Sequence, residues 1–245
     1  MKNPEYSTSK RNAKKLLLKA GVAVATLGLA SSAVACEPTP VDPTDTTTPT
    51  APSGEGVRVL GDSLIWMTGW LFEQQLPGSK AQGERGQRID QIQYLVDDAI
   101  EAGYPYLFYN AGTNDAMQDL DPEPQFNVLI NSLENSAMKC VVLATVNEAT
   151  ADRATNYQGT PEQYDPYSAI TLNDLIRATV SAKNQDDTGP YYAIADWNAA
   201  VSAPGGELLL SDDGIHQSQT GVTETVNLFI DAFQTCPKPI VTVSG

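Results

Sequence analysis

Three short segments carry the residue types needed to activate a hydroxyl: "GDSL" at 61–64, "NAGTND" at 110–115 and "SDDGIH" at 211–216. His216 is the only histidine in the chain. Any Ser-His chemistry must therefore use it, because the Ser63 hydroxyl is a weak nucleophile until a neighbouring base takes its proton. Asp213, three residues before His216, can accept a hydrogen bond from one imidazole nitrogen and leave the other facing the serine; Asp212 is the competing acid. Asn114 offers a side-chain amide to the oxyanion of a tetrahedral intermediate, and the backbone N–H groups of Ser63 and a nearby glycine would complete the hole. Each segment also has an ordinary use, as a turn or a helix cap. What points to one site is that each stands where a strand ends or a helix begins.

The elements that must position these residues are legible as alternating patterns. "VRVL", "YLFYN", "CVVLATV" and "YYAIADW" read as strands. "LIWMTGWLFEQQL", "QRIDQIQYLVDDAIEA", "PQFNVLINSLENSA", "AITLNDLIRATVSA" and a closing segment at 221–235 place apolar residues at helical spacing. A short further strand near "SKAQG" is weaker in pattern. The alternation predicts parallel strands with crossover helices in a doubly wound sheet, where chemistry gathers at the carboxyl edge. Trp66 and Trp70, on the first helix, are expected to pack in the core. The connection at 147–168 has little regular pattern; following a strand end, it could wall a binding site with Tyr157, Tyr164 and Tyr167, or those tyrosines could simply anchor the loop.

G-D-S-L near the start of the domain, a glycine after the first helix, G-x-N-D in the middle and D-x-x-H near the end resemble the SGNH subgroup of the GDSL hydrolases. The resemblance spans residues 57–236. It implies a flavodoxin-like three-layer α/β/α sandwich with a central parallel sheet, in which Ser63 is the nucleophile, His216 the base and Asp213 the orienting acid. It also implies that Asn114 and a glycine amide bind the oxyanion; in "AQGERGQRIDQ" that glycine is read as Gly86, which immediately precedes a helix, over Gly83. Ile65 stands where many relatives have Ser or Thr. More narrowly, "ADWNAAV", "LLSDDGIHQSQTG" and the loop after "LATVN" are similar to bacterial extracellular SGNH domains that move acetyl groups on cell-envelope polysaccharides.

The ends of the chain bear on where this chemistry takes place. Residues 1–35 combine six basic residues with the uncharged run "AGVAVATLGLASSAVA", the pattern of a secretory signal. Two processing outcomes stay open: cleavage after Ala35, or lipid attachment to Cys36, which resembles the bacterial lipoprotein signal. Residues 36–56 are rich in Pro and Thr and read as an extended linker; 57–245 is the hydrolase domain. Cys140 and Cys236 then remain as an even pair in an exported protein. One opens a strand and the other ends an antiparallel helix, so both fall at one edge of a wound sheet and are expected to form a disulfide.

Charge and missing motifs narrow the function further. Six of the 15 basic residues and one of the 30 acidic ones lie in 1–35, so residues 36–245 hold 9 against 29, a net of about −20. Such a field repels nucleic acid, anionic head groups and polyanionic substrates. G-x-S-x-G, a Walker loop, a zinc constellation and calcium-loop spacing are all missing from the sequence. The expectation is a monomeric, cofactor-free serine esterase acting through an acyl-enzyme on short-chain, acetyl-type esters, of polysaccharides in the cell envelope or the environment. An O-acyltransferase with the same triad and a silent glycan-binding domain are the rivals.

Overall fold

The first apolar run forms strand β1 (Val57–Gly61), and Asp62 stops it by capping helix α1 (Ser63–Gln75), accepting the Leu64 N–H at 3.0 Å. The computed structural model describes residues 53–118, 120–149, 166–185 and 189–237. The remaining elements are β2 (Lys80–Gly83), α2 (Ile89–Glu101), β3 (Tyr106–Asn110), α3 (Thr113–Met117), α4 (Glu123–Glu134), β4 (Cys140–Ala144), α5 (Pro166–Lys183), β5 (Tyr191–Ala195), α6 (Trp197–Ser202), a short 3₁₀ turn (Gly206–Leu209) and α7 (Gln219–Gln234). The five strands pair in the order β2-β1-β3-β4-β5, and every pair is parallel. This is the flavodoxin-like winding, and its direction reverses between β1 and β3.

Strand residues alternate between two cores. Val57, Val59, Phe108, Val142, Ala144 and Ala193 pack with Phe72 of α1 and Val226 and Phe229 of α7. Leu60, Leu107, Tyr109, Val141, Leu143 and Tyr192 pack with residues of α2, α4 and α5 on the other face. A period of two along strands buried on both faces thus yields the three layers the sequence predicts. Cys140 at the start of β4 and Cys236 beyond α7 form a disulfide across 96 residues, with Cα atoms 6.0 Å apart. No helix among the described residues is long and apolar enough to cross a membrane.

Several expectations need correction. Trp66 and Trp70 are not core residues: they are 56% and 57% exposed. α1 buries Leu64, Ile65, Thr68, Leu71 and Phe72, and at 3.6 residues per turn positions 66 and 70 fall on the opposite arc. "YYAIADW" is strand only to Ala195, because Asp196 accepts the Ala199 N–H and starts α6 at Trp197. The patternless connection is shorter than 147–168, since α5 begins at Pro166. Tyr167 therefore lies in a helical first turn, against a hollow with Leu120 and Pro122. Tyr157, Tyr164, the segment 1–35, Cys36 and nearly all of the linker lie outside the described residues. The weak strand near "SKAQG" is real and forms the sheet edge as β2.

Candidate active site

The reversal between β1 and β3 leaves a crevice at the carboxyl edge of the sheet, and two of the candidate segments end there. Ser63 is the first residue of α1, directly after β1, so its hydroxyl and backbone N–H stand at a helix N-terminus. β3 is followed by Gly112, at φ +118°, and then by α3, whose second residue is Asn114. The segment "GTND" thus opens a short helix, and the left-handed glycine lets the chain leave the strand and start it. A cleft of about 370 Å³ is lined by Ser63, Arg85, Gly86, Thr113, Asn114, Met117, Ile215 and His216.

His216 arrives from the far end of the chain on a tightly closed loop. Leu210 and Gln217 form an antiparallel bridge, and the Ser211 N–H donates to the His216 carbonyl at 2.8 Å. The ring Nε2 of His216 lies 3.0 Å from Ser63 Oγ, and Nδ1 lies 2.6 Å from Asp213 Oδ2. An ionised carboxylate only accepts, so Nδ1 carries the proton and Nε2 is left to accept from the serine hydroxyl. The other Asp213 oxygen accepts the backbone N–H of Ile215 and of His216, each at 2.9 Å, and the Ser211 hydroxyl at 2.8 Å. Burial pushes the Asp213 carboxyl up. The His216 ring, the two backbone N–H groups and Ser211 outweigh it and hold the carboxyl down at about 2. Asp212 is exposed, and it is the Asp213 carboxylate that lies against His216.

Asn114 Nδ2 donates one N–H to the Gln87 carbonyl at 2.9 Å, which fixes the amide of a residue that lines the cleft and leaves a second N–H outside that bond. Gly86, at φ +71°, lines the cleft; Gly83 does not. Gly83 is the last residue of β2, where a Cβ would collide with the backbone of Trp66, so its smallness serves the close packing of the edge strand on α1. Ser211 and Gln87 are two contributors the sequence did not single out. Ser211 stands two residues before an aspartate, a spacing that suits local hydroxyl-to-carboxylate bonding; Gln87 acts through its backbone and leaves no side-chain signal.

Behind Ser63 lies a second acidic group. Asp62 is completely buried, and its Oδ2 has no hydrogen-bond partner among the described residues; the same holds for Asp115 Oδ1, Tyr109 Oη and both side-chain polar atoms of Asn110. Burial pushes the Asp62 carboxyl up, the Leu64 N–H pulls it back, and the nearby Asp115 raises it again, leaving it at about 7. Asp115 is itself raised, first by burial, although its Oδ2 accepts the Ile89 N–H and so starts α2. Among the described residues no group of three or more His, Cys, Asp or Glu side chains is placed to hold a metal ion.

No family model and no curated protein matches the chain. Solved structures do. The C-terminal catalytic domain of Streptococcus pneumoniae peptidoglycan O-acetyltransferase A superposes with a TM-score of 0.57 at 15% identity, over 75% of this chain and 94% of that one. A protein of the G-D-S-L family from Desulfitobacterium hafniense gives 0.52 at 15% identity, over 70% and 95%. The acetylxylan esterase Axe2 of Geobacillus stearothermophilus gives 0.52 at 13% identity, over 74% and 95%. The fold is that of the SGNH hydrolases. At these identities the likeness is one of architecture.

Proposed function

We propose that the protein is a serine ester hydrolase that works through an acyl-enzyme. The observation that carries this reading is the continuous Ser63–His216–Asp213 hydrogen-bond chain opening on the cleft. Ser63 Oγ attacks the ester carbonyl as its proton passes to His216 Nε2, and Asp213 stabilises the imidazolium. The carbonyl oxygen becomes an oxyanion facing the Asn114 amide and the backbone N–H groups of Ser63 and Gly86. Collapse expels the alcohol, which takes the proton from His216. Water, deprotonated by His216, then attacks the acyl-serine, and Ser63 leaves with that proton as the carboxylic acid is released.

Short acyl groups, acetyl above all, are the proposed acyl portion, carried on polysaccharide hydroxyls. The cleft, at about 370 Å³, sits at the small end of the range for ligand sites, and an acetylxylan esterase and a peptidoglycan O-acetyltransferase share the fold. Transfer of the acyl group to a glycan hydroxyl in place of water is the second reading, favoured by the likeness to the latter. Residues 1–35 are proposed to direct export, with 36–56 as a spacer that either follows cleavage after Ala35 or begins with a lipid on Cys36. The Cys140–Cys236 disulfide suits an oxidising compartment.

Hydrolysis of p-nitrophenyl acetate, butyrate and octanoate by the purified chain, beside Ser63→Ala and His216→Ala, tests the proposal. Acetate is expected to be the best substrate, and each variant is expected to lose about four to six orders of magnitude in kcat. A folded parent that hydrolyses none of the three would overturn ester hydrolysis, and a parent that consumes ester faster when a sugar alcohol is added would favour transfer.

A further inference from the structure

Two tryptophans project from α1, the helix that begins at the nucleophile. Trp66 and Trp70 are four residues apart and so lie one above the other on the outer arc of the helix, about 6 Å apart along its axis. Both are more than half exposed, whereas Trp197 is buried. A lone exposed apolar side chain needs no explanation, but two neighbouring indoles offer an apolar strip of planar rings that carry N–H donors. Arg85 joins this strip to the cleft. Its guanidinium lies 4.7 Å from the Trp66 ring centroid, and the same residue lines the cleft with Ser63 and Asn114.

From this arrangement we infer that Trp66 and Trp70 are a glycan platform: the uncharged sugar backbone of the substrate stacks on the two indoles while its ester reaches Ser63. The inference rests on the ester-hydrolase reading for the identity of the reacting group. Charge selects the occupant. With about −20 on residues 36–245, polyanions, anionic lipid surfaces and a second copy of this chain are all repelled, whereas an uncharged polyol is not. The exposed residues that follow on the same helix, Glu73 and Gln74, are acceptors and donors suited to hydroxyl groups. Arg85, bridging strip and cleft, makes Trp66 the site nearest the reacting sugar and Trp70 the next along the chain.

The binding test uses Ser63→Ala, which does not turn over, in affinity electrophoresis through soluble acetylated xylan and acetylated glucomannan. Retardation by at least one polymer is expected, and adding Trp66→Ala and Trp70→Ala is expected to weaken apparent Kd at least tenfold. No retardation by either polymer, or equal retardation with the indoles removed, would overturn the platform. So would indole-dependent binding to phosphatidylcholine vesicles or an indole-dependent dimer in light scattering, which would assign the strip to a membrane or to a second copy. In the active chain, Trp70→Ala is read next, since Trp70 is not among the residues that line the cleft. It is expected to lower the ratio of kcat/KM on the retarding polymer to kcat/KM on p-nitrophenyl acetate at least fivefold, through KM; an unchanged ratio counts against the platform. Because binding is read without turnover, failure of ester hydrolysis and failure of the platform give different results.

Discussion

Asp62 and Asp213 lie at the same edge of the sheet, one beside Ser63 and the other beside His216, and their surroundings treat them in opposite ways. Asp213 is about a quarter exposed and receives four hydrogen bonds, from the His216 ring, two backbone N–H groups and Ser211. Asp62 is completely buried, accepts the Leu64 N–H on one oxygen and has no partner among the described residues on the other. One carboxyl is held at about 2 and the other pushed to about 7. Proton affinity at this edge is therefore set by how many donors converge on a carboxylate and how much water is excluded from it. The donor-rich aspartate suits a permanent counter-charge for an imidazolium, whereas the donor-poor one suits a cap that tolerates protonation.

The largest effect expected from this contrast is on turnover. Asp213→Asn should lower kcat by about 10⁴, because the amide no longer enforces the tautomer that leaves Nε2 free to accept from Ser63. Asp62→Asn keeps an oxygen for the Leu64 N–H and should leave kcat within a few-fold; steady-state kinetics on p-nitrophenyl acetate compares the two. Equal losses would break the distinction between them.

Stability against pH separates the carboxyls next. A folded value of about 7 for Asp62 means the native state binds more protons than the unfolded chain between about pH 4 and 7. Its contribution is thus fully present below about pH 4 and is lost as pH rises towards 7, with a slope approaching about 1.4 kcal/mol per pH unit for one proton. Asp213 has the opposite sign: its contribution is present above about pH 4 and is lost as pH falls towards 2. Urea unfolding from pH 3 to 8 should show Asp62→Asn flattening the neutral limb and Asp213→Asn flattening the acid limb. Replacing Cys140 and Cys236 with serine should cost about 2–5 kcal/mol at every pH and leave both slopes as they were.

The smallest expected change concerns Ser211, whose hydroxyl donates to the Asp213 carboxylate and to the His216 carbonyl. Ser211→Ala removes one of the four hydrogen bonds on the carboxylate and should lower kcat about tenfold or less, while the acid limb of the stability profile moves to slightly higher pH. A loss as large as that of Asp213→Asn would mean the loop itself had opened.

How much of this was legible beforehand depends on the kind of interaction involved. The layers and strand order class follow from local patterns, since "VRVL", "YLFYN" and "CVVLATV" carry apolar runs that only a sheet covered on both faces can bury. Ser63, Asn114, Asp213 and His216 stood out as candidates because each offers a specific side-chain chemistry, and the fold brings them together. The tryptophans were misplaced because hydrophobicity alone assigns them to the core, whereas the packed arc of α1 is already filled by Leu64, Ile65, Thr68, Leu71 and Phe72.

Sequence alone determined the chemical inventory of this protein: a single base, an acid three residues from it, a serine at a strand end, an even pair of cysteines and an acidic domain. Tertiary structure alone decided which acid reaches His216, that Gly86 and not Gly83 lines the cleft, that Gln87 and Ser211 hold Asn114 and Asp213, and that Asp62 lies buried beside Asp115. Residue type and short-range spacing are written in the chain, but burial and the convergence of backbone donors depend on segments up to 153 residues apart meeting at one sheet edge.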